Sequence, residues 1–237
     1  MSVFQSGNMM GGVNKIPIVE ATATVYSGSK SLTISYDASG NDRLLVVYSS
    51  SRTSGLQTVS SITFNGIAGT VISQLSIDGG SANNTIMAYW KEADLPSITA
   101  SYTLDIQYTG FNDQIAHTIS LSDVDQVTPI GTHITKTAID QIDGATFTFP
   151  ALSNESGEFL VAGLGISDTG SFSGVGSFSS PVGLWLEHSD TYAGTTVAGM
   201  ISTLDAVADN SETYSWDVTT GRTNDSLTGI IAVINGA

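Results

Sequence analysis

The chain has no cysteine, so it can hold no disulfide, no thiol nucleophile and no cysteine-ligated zinc. It is also poor in positive charge: Lys and Arg total 7 against 22 Asp and Glu, a formal net charge of −15 over 237 residues. A surface of that sign repels phosphate backbones and anionic membranes, which sets both aside as partners. The same charge keeps an apolar β-rich protein soluble. No apolar run approaches the roughly 18 residues that a membrane-spanning helix needs. The stretch Met1-Ser2-Val3-Phe4-Gln5-Ser6-Gly7-Asn8 has neither a basic nor an apolar region, so no secretory signal is expected. No segment sustains a 3.6-residue period, and a helix-poor chain follows.

What is present is a repeat. Tyr102-Thr103-Leu104-Asp105-Ile106 returns as Tyr214-Ser215-Trp216-Asp217-Val218, an offset of 112 (214 − 102). Asn112-Asp113 returns at the same offset as Asn224-Asp225, and Ile115, Ile119 and Leu121 as Leu227, Ile231 and Val233. Upstream, Ser31-Leu32-Thr33-Ile34 matches Thr146-Phe147-Thr148-Phe149, and Leu44-Leu45-Val46-Val47 matches Phe159-Leu160-Val161-Ala162. Small loop insertions absorb the drift in offset. The pattern predicts an arm over 1–21, a first copy over 22–130 and a second over 137–237, with a short linker around Gly131.

Inside each copy the period is two. Tyr102, Leu104, Ile106 and Tyr108 alternate with Thr103, Asp105, Gln107 and Thr109, as in a strand with one face in a core. Strands are predicted at Leu32–Tyr36, Leu44–Ser49, Thr58–Phe64, Thr85–Trp90 and Ile115–Leu121, with counterparts in the second copy. Gly, Asn and Asp turns between them point to an all-β, antiparallel sandwich of jelly-roll kind built by internal duplication. The run Leu227–Ile234 is apolar on both faces, so it is covered on both sides, either by an internal neighbour or by a partner subunit. Together with the short linker, this predicts two copies packed as one compact unit. In the arm, Phe4, Met9, Met10, Ile16 and Ile18 read either as a frayed terminus or as a clamp onto a neighbouring subunit.

Candidate chemistry is sparse. Gly170-Ser171-Phe172-Ser173-Gly174 lacks the helix that a nucleophile elbow requires. His117, His133 and His188 fall in separate segments and form no metal pair; structural or surface roles are expected. Asp105 and Asp217 sit on polar strand faces, and Asn112-Asp113 and Asn224-Asp225 lie in turns. Neither these nor Asp123, Asp125, Asp140 and Asp143 match a calcium loop. Trp90 and Trp216 read as core, whereas Trp185 could present its ring for partner or sugar stacking. No catalytic residue, cofactor or metal is expected.

The series Asn41-Asp42-Arg43-Leu44-Leu45-Val46-Val47, Ile62-Thr63-Phe64-Asn65-Gly66, Ala88-Tyr89-Trp90 and Leu121-Ser122-Asp123-Val124-Asp125-Gln126-Val127-Thr128-Pro129-Ile130 resembles a family of β-sandwich modules. Those modules occur in tailed-bacteriophage virion proteins and in bacterial surface or secreted proteins. One departure is Leu95-Pro96-Ser97-Ile98, where the family has a Pro-Pro-Ala-Gly-like turn. The resemblance implies a non-enzymatic structural virion protein, foremost a capsid decoration (cement) protein on the capsid exterior. It would be made in the host cytoplasm, bind the major capsid protein or another virion protein, and form a homo-oligomer. The alternative is a tail-fibre, receptor-binding or carbohydrate-binding module, with a glycan as ligand.

Overall fold

A computed structural model of the chain describes residues 15–53, 55–78, 82–110, 113–141, 145–154, 159–167, 177–179, 186–187, 197–205, 210–219 and 225–237. Strands occupy most of them, and none of them is in an α-helix. The first half contains β1 (Ile18–Ser27), β2 (Ser31–Tyr36), β3 (Leu44–Thr53), β4 (Val59–Phe64), β5 (Ile67–Ala68), β6 (Thr70–Asp78), β7 (Ala82–Lys91), β8 (Ala100–Tyr108) and β9 (Asp113–Ser122). A 3-10 turn, Glu92–Asp94, follows β7. The second half contains β10 (Ile130–Gln141), β11 (Ala145–Thr148), β12 (Leu152–Asn154), β13 (Phe159–Ser167) and β14 (Ser177–Ser179). It continues with β15 (Leu186–Glu187), β16 (Val197–Asp205), β17 (Asn210–Glu212), β18 (Ser215–Thr219) and β19 (Asp225–Ile234).

Local chemistry explains the strands. In β2, Leu32, Ile34 and Tyr36 are buried while Ser31, Thr33 and Ser35 face water, so one register satisfies every side chain. The β4–β5 hairpin turns on Asn65-Gly66, whose φ values of 50° and 80° suit a tight primed turn that matches strand twist.

Pairing is antiparallel and nested: β1 with β9, β2 with β8, β3 with β7, β4 with β5. The result is two sheets, β1-β9-β3-β7-β6 and β2-β8-β4-β5, the strand order of a jelly roll. The second half repeats it, with sheets β10-β19-β13-β16-β15 and β11-β18-β14, and a further ladder of β12 with β17. The duplication seen in the sequence is therefore a duplication of topology.

Three apolar clusters separate four sheet layers. One lies inside the first jelly roll, where Tyr36, Phe64, Tyr102 and Trp90 meet edge to face. Another lies inside the second, around Phe147, Phe149 and Trp216. The third joins the halves: Leu44, Val46, Tyr48, Met87, Ile119 and Leu121 pack on Phe159, Val161, Ile201, Ile230, Ala232 and Ile234. The two five-stranded sheets thus stack face to face, which is why β3, β9, β13 and β19 are buried on both sides. An internal neighbour covers Leu227–Ile234, and no partner subunit is needed for it.

The stacking follows a pseudo-twofold axis. Strand β9 packs on β16, β3 on β13, β7 on β19 and β6 on β10, so each strand meets the counterpart of a different strand except β3, which meets its own. Near the axis Val124 bridges its own repeat counterpart, Gly236. The flanking bonds are related by the same symmetry: the Asp125 amide donates to the Asn235 carbonyl, and the Ala237 amide donates to the Asp123 carbonyl.

Two expected boundaries shift. The arm set at 1–21 gives way at Ile18 to β1, because alternating Val19 to Val25 pair along β9. The linker around Gly131 is likewise strand: Ile130 to Gln141 pair with β19 as the second half's equivalent of β1. In both edge strands, part-buried side chains blur the two-residue period.

Candidate functional site

Of the residues singled out as partner-binding, Phe4, Met9, Met10 and Trp185 lie outside the described residues. Ile16 and Ile18 are each 51% exposed at the entry to β1, and Val127 is 85% exposed. Lys15 ties this entry down: its amide donates to the Ala237 carbonyl, and its Nζ pairs with Asp123 at 2.6 Å. Ile16 therefore lies beside the pseudo-twofold bridge, where the two halves meet.

Two residues of the resemblance series, Arg43 and Gln126, meet in one structural knot with Glu92. Arg43, just before β3, is almost fully buried; its Nε donates to Glu92 Oε1, and one terminal nitrogen reaches Tyr36 Oη and the carbonyls of Ala38 and Pro96. Glu92 also accepts the Arg43 amide. Gln126 closes the knot by donating to the carbonyls of Arg43 and Val124 and accepting the Glu92 amide. Asp125 caps the following turn through the Val127 amide and the Thr128 hydroxyl, bonds that hold its carboxyl below the usual range. These hydrogen bonds tie the loops at this end of the first jelly roll together. Leu95-Pro96-Ser97-Ile98, the departure from the family pattern, is held by Arg43 at Pro96 and by the Tyr102 hydroxyl at the Ile98 carbonyl.

The layer between the halves changes character along its length. One end is apolar; the other carries buried polar groups that cross the boundary. Asn83 Nδ2 donates to the Ser226 carbonyl at 3.0 Å, and Asn83 Oδ1 accepts from Ser50 Oγ at 2.8 Å. The Tyr48 hydroxyl lies 3.3 Å from Thr228 Oγ1, and burial raises its pKa. The Tyr48 ring lies flush on β13, where a methyl at Gly163 would come within 2.2 Å of it. Gly163 and Gly165 alternate in the strand, the one sequence signal that could have announced this close approach.

The expected core tryptophans, Trp90 and Trp216, are in the cores. His133 is exposed, and His117 is buried between the halves. Asp123 and Asp125 are engaged as above, and no group of metal-ligating side chains occurs among the described residues. The outer sheets offer hydroxyls instead: Ser31, Thr33 and Ser35 face water on β2, and Ser31 donates to Asp105. In the second half Thr146 and Thr148 hold the corresponding exposed positions.

No family model matches the chain, and no curated protein matches it. Among solved structures it is similar to the crystal structure of the STIV MCP, at 11% identity over 92% of this chain and 96% of that one, with a TM-score of 0.31. The structure of Sulfolobus Turreted Icosahedral Virus gives 12% identity over 92% and 90%, TM-score 0.29. The major capsid protein P2 from Bacteriophage PM2 gives 9% over 94% and 97%, TM-score 0.30. Superposition at this level does not establish a common fold, and the architecture rests on the strand order itself.

Proposed function

We propose that this chain is a structural protein of a virus particle, acting as a capsid decoration protein of a tailed bacteriophage through binding alone. The observation that carries the reading is the stacking of two jelly rolls through their inner sheets. It makes a four-layer block in which β3, β9, β13 and β19 are buried on both faces, leaving polar outer sheets and loop ends for contact. The knot of Arg43, Glu92 and Gln126 supports the same reading, since its polar groups are spent on rigidity. The partner in this reading is the major capsid protein, engaged by the apolar end at Ile16, Ile18 and Val127, with self-association on the particle surface. The acidic remainder faces solvent on the capsid exterior.

The test is cosedimentation with purified expanded capsids lacking the protein, followed by thermal melting of the particles. Saturable binding and a raised melting temperature are expected, both weakened by Ile16→Asp combined with Val127→Asp. No binding to expanded capsids, with the variant and the native chain equally folded, overturns the reading. The hydroxyl-rich outer faces favour one rival, a carbohydrate-binding module of a tail fibre or cell surface. Glycan-array binding that is lost in Trp185→Ala would put that reading in its place.

A further inference from the structure

His117 points from β9 into the layer between the halves and is fully buried. Its Nδ1 lies 3.0 Å from the Thr24 hydroxyl on β1. Its Nε2 is buried with no partner. Across the layer it faces Gly199 of β16, where even an added methyl carbon would come within 2.7 Å of Nε2. The contact leaves no space for water or a counter-ion between that nitrogen and Gly199.

Among the described residues the surroundings hold no charged group to compensate a charge on the ring. From β1 the imidazole meets Thr24, from β16 it meets Gly199, and on its own strand Ile115 flanks the same contact. On β3 the residue in register is Tyr48, the titratable group among these neighbours, and its hydroxyl is engaged by Thr228. Among the described residues no carboxylate or ammonium acts on the ring, and burial pushes its pKa down, to about 3. Neutral imidazole needs one donor and one acceptor, so the Thr24 bond leaves one nitrogen idle at modest cost. The protonated ring has two N–H donors, and the one at Nε2 would be a buried charge-bearing group without an acceptor.

We propose that His117 is an acid-sensitive latch between the two jelly rolls, holding the stacked sheets closed while neutral and parting them at β9 and β16 when it takes up a proton. The repeat position opposite it in the sequence is Gly229, so the latch exists once and sits on one side of the pseudo-twofold. The sign follows from linkage. The folded value lies below the ordinary 6.5, so the contribution to stability is complete above about pH 6.5 and falls as pH drops toward the folded value. Over that window the equilibrium for opening rises by up to about tenfold per pH unit. Protonation of surface carboxylates works the other way on a chain of net charge −15, by relieving self-repulsion, so a variant comparison isolates the histidine.

The experiment is hydrogen exchange on the full chain and on His117→Gln at pH 7.5 and pH 5, corrected for intrinsic rates. In the native chain, peptides spanning 113–122 and 197–205 should lose at least tenfold in protection at the lower pH, while peptides from β2 and β8 hold theirs. In His117→Gln the pH effect on those peptides should disappear. Equal pH dependence in the two proteins overturns the proposal. Should the variant fail to fold, histidine-labelled native protein decides by NMR: the His117 ring stays neutral in the folded state at pH 5 if the latch is real. A ring that titrates near pH 6.5 with the fold intact refutes it.

Discussion

At the scale of single residues, the closeness of the two inner sheets depends on side chains that are absent. Tyr48 lies flat on β13 because Gly163 carries no Cβ, and the atoms a methyl would strike belong to the ring itself and to Tyr48 Cβ. The ring cannot swing aside without breaking contact with Thr228. Gly163→Ala should therefore cost about 1–3 kcal/mol, the range for overpacking a filled core. Urea denaturation of the two proteins measures it. A change under a few tenths of a kcal/mol would mean that the sheets separate more easily than the packing implies.

At the scale of elements, the loops at one end of the first jelly roll hang on Arg43. Removing it strips donors from Glu92, Tyr36 and the carbonyls of Ala38 and Pro96. Glu92 keeps about a third of its side chain in water, so the loss of the ion pair is discounted and the hydrogen bonds dominate. Arg43→Ala should cost roughly 2 kcal/mol, read by thermal or chemical melting, and should speed exchange at Asp94 to Ile98 before the strands respond. Arg43 and Gln126 of this knot are visible in the sequence only within a family-like string of residues; what they hold depends on loops 34 to 83 positions apart.

The strands were far more legible. Ser31–Tyr36 and Ala100–Tyr108 have one wet and one dry face, and their alternation alone places them. Leu227–Ile234 advertised a cover on both sides, yet the sequence could not name it, because the cover is the other jelly roll's inner sheet. The edge strand β6 went unread: its TVISQLSID is half-buried along most of its length and shows no clean period. The first four residues of edge strand β1, Ile18 to Ala21, fall within the expected arm for the same reason.

At the scale of the molecule, the third apolar cluster should make the halves unfold together. Among the described residues it contributes thirteen buried side chains drawn from both repeats, comparable with the cluster inside each jelly roll. Calorimetry should show one transition whose van't Hoff and calorimetric enthalpies agree. Two resolved transitions would mean that each jelly roll carries its own stability and that the layer between them is a weak contact.

The pseudo-twofold has one more consequence. The outer sheets β2-β8-β4-β5 and β11-β18-β14 point in opposite directions from the four-layer block, so a site on one has its topological counterpart on the far side. Two such sites cannot grip a single flat surface together, and no gain in avidity is available to them there. They can cross-link: each would engage a different body, with the thickness of the protein setting the gap.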